Sequence, residues 1–337
     1  MATASKLAVK EKVSGVILID KPIGMTSQQV VSKIKYLFKS PVHDSKKAGH
    51  TGTLDPMATG LLPICLGEAT KFSHYQLDAD KSYQATILLG SQTDTGDADG
   101  QAVAQADVPI LTEYLLQQTA HHFMGAQQQM PPMYSALKKD GKKLYEYARA
   151  GIEIERPLRH IEIKALSLEL LTEQEIQLTV TCTKGTYVRV LGEDIAKHLG
   201  TLGHLTVLRR IQVGKFHLSD AISIEQLEQQ ETSERLAQLL PIDACVNISA
   251  TLMLNSAQCE RIHMGQRLNV FEQLTVEISD YITSSLSHDS AADSKLLTPD
   301  DYERPVDIRL IDESGQFLGL GAVSLNGRLQ PKKLIQC

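Results

Sequence analysis

Residues 49–71 read GHTGTLDPMATGLLPICLGEATK, and the rest of the chain is organised around this stretch. Its glycines leave the backbone free to take positive φ, while Pro56 fixes its own φ and biases Asp55 towards an extended conformation. The apolar run from Leu61 to Leu66 predicts a buried strand that anchors the loop. A carboxylate on a rigid loop above a core strand is placed as a catalytic group would be. The alternative is an Asp-Pro turn, in which Asp55 bonds to its own backbone.

The bulk composition is that of an ordinary globular protein. A length of 337 residues suggests two domains, and 42% hydrophobic with 22% charged residues is typical of soluble chains. No apolar run approaches the ~20 residues needed to cross a bilayer, and the first residues lack the apolar stretch of a signal peptide. We therefore expect a cytoplasmic protein without a membrane segment. Five cysteines without a Cys-x-x-Cys pair favour neither a disulfide framework nor a thiolate zinc site.

Charge is distributed unevenly along the chain, although the formal net charge is only −6. Residues 1–75 hold ten lysines and five acids, and residues 184–217 hold six basic and two acidic side chains, which gives +5 and +4. Residues 218–305 hold five bases and fifteen acids, a net of −10. The pattern is compatible with a basic groove for a polyanion on an acidic body. Chance variation of surface charge is the alternative.

Periodicity predicts an α+β fold with a mixed, largely antiparallel sheet. Strand-like segments are bunched together with helices between the groups, which does not fit the helix–strand alternation of a doubly wound sheet. Strands are predicted at 13–19, 61–66, 81–90, 152–170 and 175–183. Helices are predicted after a cap at Thr26 or Ser27, at 68–77, at 111–123 and through 145–149.

Residues 182–216 form the second dense stretch. Tyr187 and Arg189 are two residues apart on a predicted strand end, so we expect both side chains on one face of the sheet. An aromatic ring beside a guanidinium suits a flipped base and a carboxylate or phosphate. The alternative is an ordinary Tyr-x-Arg pair on an exposed sheet.

Residues 93–100, TDTGDADG, resemble a calcium loop superficially. Their acids miss the alternate spacing of an EF-hand and no Glu closes the loop, so we interpret the segment as an Asp/Gly turn and predict no metal site. After about residue 249 the sequence changes to short strand-like segments that are separated by glycines at predicted turns. We predict a catalytic domain at 13–248 and a small β-rich domain at 250–337, with a flexible Ser/Asp-rich insertion near 283–304.

Gly49 to Pro56, followed by Ala58-Thr59-Gly60, resembles the signature of the TruB family of pseudouridine synthases. The resemblance covers residues 13–217 densely and the C-terminal part loosely, as a PUA-like RNA-binding domain. Further matching segments follow in the family's order: Lys21-Pro22 with Gly24, Thr26 and Ser27; Leu66-Gly67-Glu68-Ala69-Thr70-Lys71; Lys81 and Tyr83; Pro131-Pro132 with Tyr134, Ser135, Ala136 and Lys138; Lys184-Gly185-Thr186-Tyr187 with Arg189; and Leu208-Arg209-Arg210 with Gly214.

The resemblance implies an isomerase that converts uridine 55 in the T-loop of tRNA to pseudouridine without cofactor or metal. Asp55 matches the essential aspartate, which either attacks directly or removes a sugar proton to give a glycal. Arg189 matches the residue that pairs with it, and a nearby cation favours the charged carboxylate. Tyr83 matches the residue that stacks on the flipped uracil and takes part in proton abstraction at C5. A phenol is a weak base, so this role requires help from the site.

The remaining matches imply contacts with RNA. Tyr187 would pack under the base, Leu208 would close the apolar floor, and His50 would stack on extruded nucleotides of the loop, unless it is simply satisfied inside its own loop. Candidate phosphate contacts, each of which could instead be a plain surface charge, are Lys21, Lys71, Lys138, Arg209 and Arg210. Binding should weaken with salt.

Two other functions compete with this interpretation. One is a tRNA-binding folding factor that uses the same groove without turnover; the simultaneous presence of Asp55, Tyr83 and Arg189 argues against it. The other is a retaining glycosidase, which needs a second carboxylate about 5 Å away, and the Asp55 loop offers none. The resemblance implies that the chain binds the T-arm of tRNA. We expect a monomer without a protein partner, because no heptad pattern or dedicated interface helix is visible.

Overall fold

The computed structural model describes residues 10–288 and 298–336, and the chain divides into two compact units after Leu240. The sequence places the boundary near residue 249. In the structure, the second unit already includes the 3₁₀ helix Ile242–Cys245. This helix belongs there because Asp243 forms an ion pair with Arg309 of the C-terminal sheet.

A ten-stranded sheet forms the framework of the first unit. In chain order its strands are β1 (Gly15–Lys21), β2 (Ala48–His50), β3 (Thr59–Leu66), β4 (Lys81–Leu89), β5 (Gly125–Gln129), β6 (Arg159–Thr172), β7 (Glu175–Cys182), β8 (Gly203–Val213), β9 (Phe216–His217) and β10 (Ile222–Ser223). They lie in the order β10-β1-β3-β8-β4-β7-β6-β5, with β9 paired to β8 and β2 to β3. Only the pairs β10–β1 and β3–β8 are parallel. The predicted mixed, largely antiparallel sheet is confirmed.

The described residues of this unit form seven α-helices: α1 (Ser27–Leu37), α2 (His74–Leu77), α3 (Glu113–His122), α4 (Leu144–Arg149), α5 (Val188–His198), α6 (Ile224–Gln229) and α7 (Thr232–Ala237). Thr26 caps α1 as predicted, since its side chain accepts from the Gln29 amide and the Gln29 side chain reaches back. Val30, Ile34 and Leu37 of α1 are buried in the core, together with the apolar side chains of β1 and β3. The part of the chain that the structure describes has no helix long and apolar enough to cross a membrane.

The prediction that Tyr187 and Arg189 lie on a strand is wrong. Strand β7 ends at Cys182, Gly185 turns the chain at φ +83°, and Tyr187 is the N-cap of α5. Helical spacing decides the structure here, because Val188, Leu191 and Ile195 recur on one buried face. Arg189 therefore lies in the first turn of a helix.

The second unit is β-rich, as predicted. Its sheet runs in the order β11-β13-β14-β15-β12, from strands β11 (Thr251–Met253), β12 (Leu268–Asn269), β13 (Val306–Ile311), β14 (Phe317–Val323) and β15 (Arg328–Leu334). Two helices that the sequence interpretation missed, α8 (Ser256–His263) and α9 (Val276–His288), accompany it.

The predicted flexible insertion at 283–304 is corrected for the residues that the structure describes. Residues 283–288 belong to α9, whose Ile278, Ile282 and Leu286 repeat at helical spacing and are buried in the core of this unit. Pro299–Tyr302 form a 3₁₀ turn. Residues 289–297 of the predicted insertion lie outside the described residues.

Candidate active site

The loop between β2 and β3, residues 51–58, carries Asp55 and is fixed from below by buried polar side chains. The Ser27 hydroxyl accepts from the Leu54 amide at 2.8 Å and donates to the Leu54 carbonyl at 3.0 Å. Leu54 and Met57 are buried in the core on either side of Asp55. The Pro56 carbonyl accepts from the Gly24 amide at 2.8 Å. The loop is thus held in place before any substrate binds.

Lys21 is one of these supports, and its predicted phosphate contact is wrong. The side chain is fully buried, and its Nζ donates to the Ala58 carbonyl at 2.6 Å and the Pro22 carbonyl at 2.9 Å. Burial lowers the pKa of the Lys21 ammonium to about 8, although the charge of Asp55 opposes this. A lysine so placed holds the loop backbone and cannot reach a phosphate in solvent.

Asp55 and Arg189 form the central ion pair. Arg189 Nη2 lies 3.0 Å from Asp55 Oδ2, and the arginine side chain is 5% exposed whereas that of Asp55 is 40% exposed. The pair therefore joins a buried cation to a carboxylate that remains open to an incoming ligand. This is the pairing that the family resemblance implies for these two residues.

Arg189 has a second acidic neighbour, Asp97, which the sequence interpretation left within a plain turn. Arg189 Nε lies 3.4 Å from Asp97 Oδ2, and Asp97 is buried. The other carboxylate oxygen accepts from the Thr95 hydroxyl at 2.6 Å and from the Asp99 amide at 3.2 Å. The carbonyls of Thr95 and Tyr134 also accept from the Arg189 guanidinium. The segment is indeed a turn, but its buried carboxylate is a support for Arg189.

Two half-buried tyrosines face Asp55. Burial raises the pKa of Tyr83 and of Tyr187 above the usual value of 10, and the nearby charge of Asp55 adds to the rise. Tyr83 lies on β4, and Tyr187 is held at the start of α5 by Gln129, whose side chain pairs with both the amide and the carbonyl of Tyr187. Leu208, on β8, is 7% exposed and packs into the core. The structure therefore brings both tyrosines near the carboxylate.

His50 lies at the end of β2, half-buried, and its Nδ1 accepts from the Gly52 amide at 3.3 Å. Burial, followed by the charge of Arg210, lowers the pKa of His50 below 6.5. The ring is therefore neutral at pH 7, which suits stacking. Its stacking on extruded nucleotides of the RNA stays a prediction.

Arg210 cannot make the predicted phosphate contact, because its side chain is 1% exposed. Its guanidinium donates to the carbonyls of Leu61 and Gly52 at 2.8 and 3.1 Å. Arg209 is half-exposed and forms an ion pair with Asp20 at 2.6 Å. The ammonium of Lys71 lies 2.6 Å from Glu68. Lys138 is exposed in a lysine-rich hairpin, in which Lys138–Lys139 pair with Lys142–Lys143.

None of these groups forms a metal centre. In residues 10–288 and 298–336, no three His, Cys, Asp or Glu side chains lie together as a metal ion would require.

Comparison with known proteins defines the class of this chain as a pseudouridine synthase. Residues 40–188 match the model described as TruB family pseudouridylate synthase (N terminal domain). Residues 189–247 match the tRNA pseudouridylate synthase B C-terminal domain, and residues 298–335 match Pseudouridine synthase II TruB, C-terminal. The chain belongs to the TruB family, and the resemblance found in its sequence is confirmed.

Relatives agree over nearly the whole length. The tRNA pseudouridine synthase B of Psychrobacter cryohalolentis is 69% identical, over 97% of this chain and 95% of the relative. The protein of the same name from Methylobacillus flagellatus is 42% identical over 97% of both chains.

Solved structures share the fold at low identity. A chain of an H/ACA RNP bound to a substrate RNA containing 2′-deoxyuridine matches with a TM-score of 0.65 at 19% identity, over 96% of this chain and 85% of that one. A chain of a Cbf5-Nop10-Gar1 complex matches with a TM-score of 0.60 at 23% identity, over 93% and 79%. At these identities the likeness concerns the fold alone.

Proposed function

We propose that this enzyme isomerises uridine 55 in the T-loop of tRNA to pseudouridine. The observation that carries the proposal is the ion pair between Asp55, 40% exposed, and the buried Arg189. A tRNA substrate is supported by relatives up to 69% identical that are named tRNA pseudouridine synthase B. The alternative of a folding factor without turnover has no comparable support.

The reaction breaks the N1–C1′ bond of uridine, turns the uracil and joins C5 to C1′. Asp55 either attacks the sugar or removes a sugar proton to give a glycal. Both routes require a carboxylate that is accessible and held in one orientation. Its 3.0 Å contact with Arg189 and the fixed loop around it supply that orientation.

The two tyrosines and Leu208 would enclose the flipped uracil. In this proposal Tyr83 stacks on the base and takes the C5 proton, Tyr187 packs under it, and Leu208 closes an apolar floor that excludes water. Taking the base out of its stack costs a few kcal/mol. Stacking on His50, neutral at pH 7, would offset part of that cost.

Basic side chains outside the catalytic pocket would bind the RNA backbone. Lys138 in its lysine hairpin is the best placed, because it is exposed and no ion pair with an acid is described for it. Lys71 and Arg209 already pair with acids and would exchange those partners for phosphate. We also propose that the β-rich C-terminal unit is the PUA-like RNA-binding domain. RNA affinity should then fall steeply with salt.

Tritium release tests the proposal. tRNA carrying 5-tritiated uridine is incubated with wild-type protein and with Asp55→Asn, alongside a transcript in which another base replaces U55. The proposal expects release by the wild type alone, lost when U55 is replaced. Equal release by Asp55→Asn would refute the role of Asp55, and release that survives the U55 replacement would refute the site.

The proposal also covers the oligomeric state of the enzyme and the cellular compartment in which it acts. We propose a monomer that acts in the cytoplasm without a protein partner. Light scattering on the purified full chain tests the monomer, and fractionation of cells that express it tests the compartment.

A further inference from the structure

Arg210 is the largest of the fully buried side chains that the structure describes, and no carboxylate there lies within 4.0 Å of its guanidinium. Its Nε donates to the Leu61 carbonyl and its Nη2 to the Gly52 carbonyl. Carbonyls accept hydrogen bonds but do not neutralise a charge, so the cation remains uncompensated. Burying a charge without a counter-ion is costly. A side chain retained at that cost calls for an explanation beyond packing.

The sheet places Arg210 directly beside Tyr83. The two residues are register partners in the antiparallel pair β8–β4, so their side chains leave the same face of the sheet. A register shift between Arg210 and Gln212 marks a bulge, a feature that re-aims side chains next to active sites. On the other side, Arg210 pairs with Gly60 of β3, where a Cβ would lie 2.3 Å from the Arg210 carbonyl oxygen. The backbone around Arg210 is therefore held tightly from both neighbouring strands.

Burial raises the pKa of the Tyr83 phenol, and the nearby charge of Arg210 opposes that rise. Of the groups that the structure places beside Arg210, the Tyr83 phenol can itself become an anion, whereas the carbonyls of Leu61 and Gly52 cannot. We propose that Arg210 is a positioning residue for Tyr83: it fixes the phenolic oxygen by a hydrogen bond and stabilises the phenolate that forms when Tyr83 exchanges protons with uracil. This inference rests on the proposed function of the site.

The proton balance of the step closes within the substrate. Once C5 has joined C1′, Tyr83 gives its hydroxyl proton to N1, which like C5 is bonded to C6, and becomes a phenolate. The phenolate then takes the proton from C5; the C5–H electron pair forms the C5–C6 double bond, while the C6–N1 double bond opens and its electron pair stays on the protonated N1. Tyr83 ends as a phenol and uracil keeps its atom count. The charge that this step creates on the protein is the phenolate, beside a guanidinium that has no carboxylate within 4.0 Å among the described residues.

Spectroscopy of the resting protein tests the contact without any RNA. 3-Fluorotyrosine, whose phenol is more acidic than that of tyrosine, is placed at position 83 of the full chain and titrated by ¹⁹F NMR. An opposite charge at close range moves a pKa by about 1–3. Arg210→Met should therefore raise the apparent pKa of residue 83 by at least one unit, and Arg210→Lys by less. Lys81→Met is the matched control, because Lys81 is a buried cation bonded only to carbonyls, and it should leave the titration unchanged.

Kinetics then separate positioning from folding. Arg210→Met should lower the single-turnover rate by about 10²-fold, within the ~10²–10⁴-fold range of a general base, while tRNA affinity stays within a few-fold. Arg210→Lys should restore part of the rate. If Arg210→Met does not fold, the smaller rise in the apparent pKa of residue 83 that is expected in Arg210→Lys tests the proposal. An unchanged titration in a folded Arg210 variant would overturn the proposal. A wild-type protein that forms no pseudouridine would instead refute the proposed function. The titration would then still show whether Arg210 acts on the Tyr83 phenol.

Discussion

Removing the buried carboxylate of Asp97 should impair the reaction although Asp97 does not touch the substrate. The proposed change is Asp97→Asn, which keeps the side-chain shape. Its oxygen can still accept from the Thr95 hydroxyl and the Asp99 amide, as Oδ1 does now at 2.6 and 3.2 Å. Its NH₂ group, however, then faces Arg189 Nε, which lies 3.4 Å from Oδ2. A charge-assisted acceptor is replaced by a donor.

The magnitude follows from the burial of this pair. Side-chain exposure is 5% for Arg189 and 7% for Asp97, so water does not replace the lost partner. Loss of a hydrogen bond to a charged group costs about 1.5–3 kcal/mol. Among the described residues the guanidinium then keeps one carboxylate partner, Asp55, and two backbone carbonyls, so we expect the Asp55–Arg189 pair to shift from its present geometry. A misplacement of about 1 Å costs roughly 10²-fold in rate.

The assay is single-turnover tritium release, together with thermal melting and tRNA binding. We expect Asp97→Asn to be about 10²-fold slower, with tRNA affinity within a few-fold and a lowered Tm. Asp99→Asn is the matched control, since its carboxylate lies exposed in the same turn and makes no described side-chain hydrogen bond, and it should behave as wild type. A folded Asp97→Asn protein with wild-type turnover would refute the reasoning.

Three further predictions concern stability and RNA binding. The pKa of Lys21 is lowered from 10.5 to about 8, so between these values the unfolded chain binds one proton more than the folded one. Stability measured by denaturant should therefore gain about 2–3 kcal/mol from pH 8 to pH 10.5 relative to Lys21→Met; parallel curves would contradict this. Gly60→Ala should lower Tm by roughly 6 °C or more, because its Cβ meets the Arg210 backbone at 2.3 Å, whereas Gly24→Ala, at φ +85° with nothing within 4 Å, should cost far less. Equal melting shifts would refute the clash. Lys138→Ala should reduce the slope of log affinity against log salt by about 1, measured by filter binding; an unchanged slope would exclude a phosphate contact.

Local patterns in the sequence sufficed for the elements that frame the site. The apolar run before Gly67 predicts the buried strand β3, and a cap at Thr26 or Ser27 predicts the start of α1. These elements depend on residues near in sequence, so the pattern alone determines them. The same holds for the loop at Asp55, which its Gly and Pro residues make distinctive.

Partners distant in sequence could not be predicted. Lys21 and Arg210 look like surface cations, yet each is buried because backbone carbonyls 37 or 149 residues away meet its side chain. In the sequence Asp97 is likewise an ordinary turn residue, and only the folded structure places Arg189 of α5 next to it. The wrong prediction of a strand at Arg189 has a local cause. A short apolar run fits the period of a strand as well as that of a helix, and only the packing of α5 against the core shows that this segment is helical.

Direct detection of the product tests the central claim most plainly. An unmodified tRNA transcript is incubated with wild-type protein or with Asp55→Asn, which keeps the side-chain volume, and pseudouridine at position 55 is measured by nucleoside chromatography of the T-arm fragment. We expect close to one pseudouridine per tRNA with the wild type, and none with an Asp55→Asn protein that is folded and still binds tRNA. Pseudouridine at position 55 from Asp55→Asn at the wild-type rate would contradict the account.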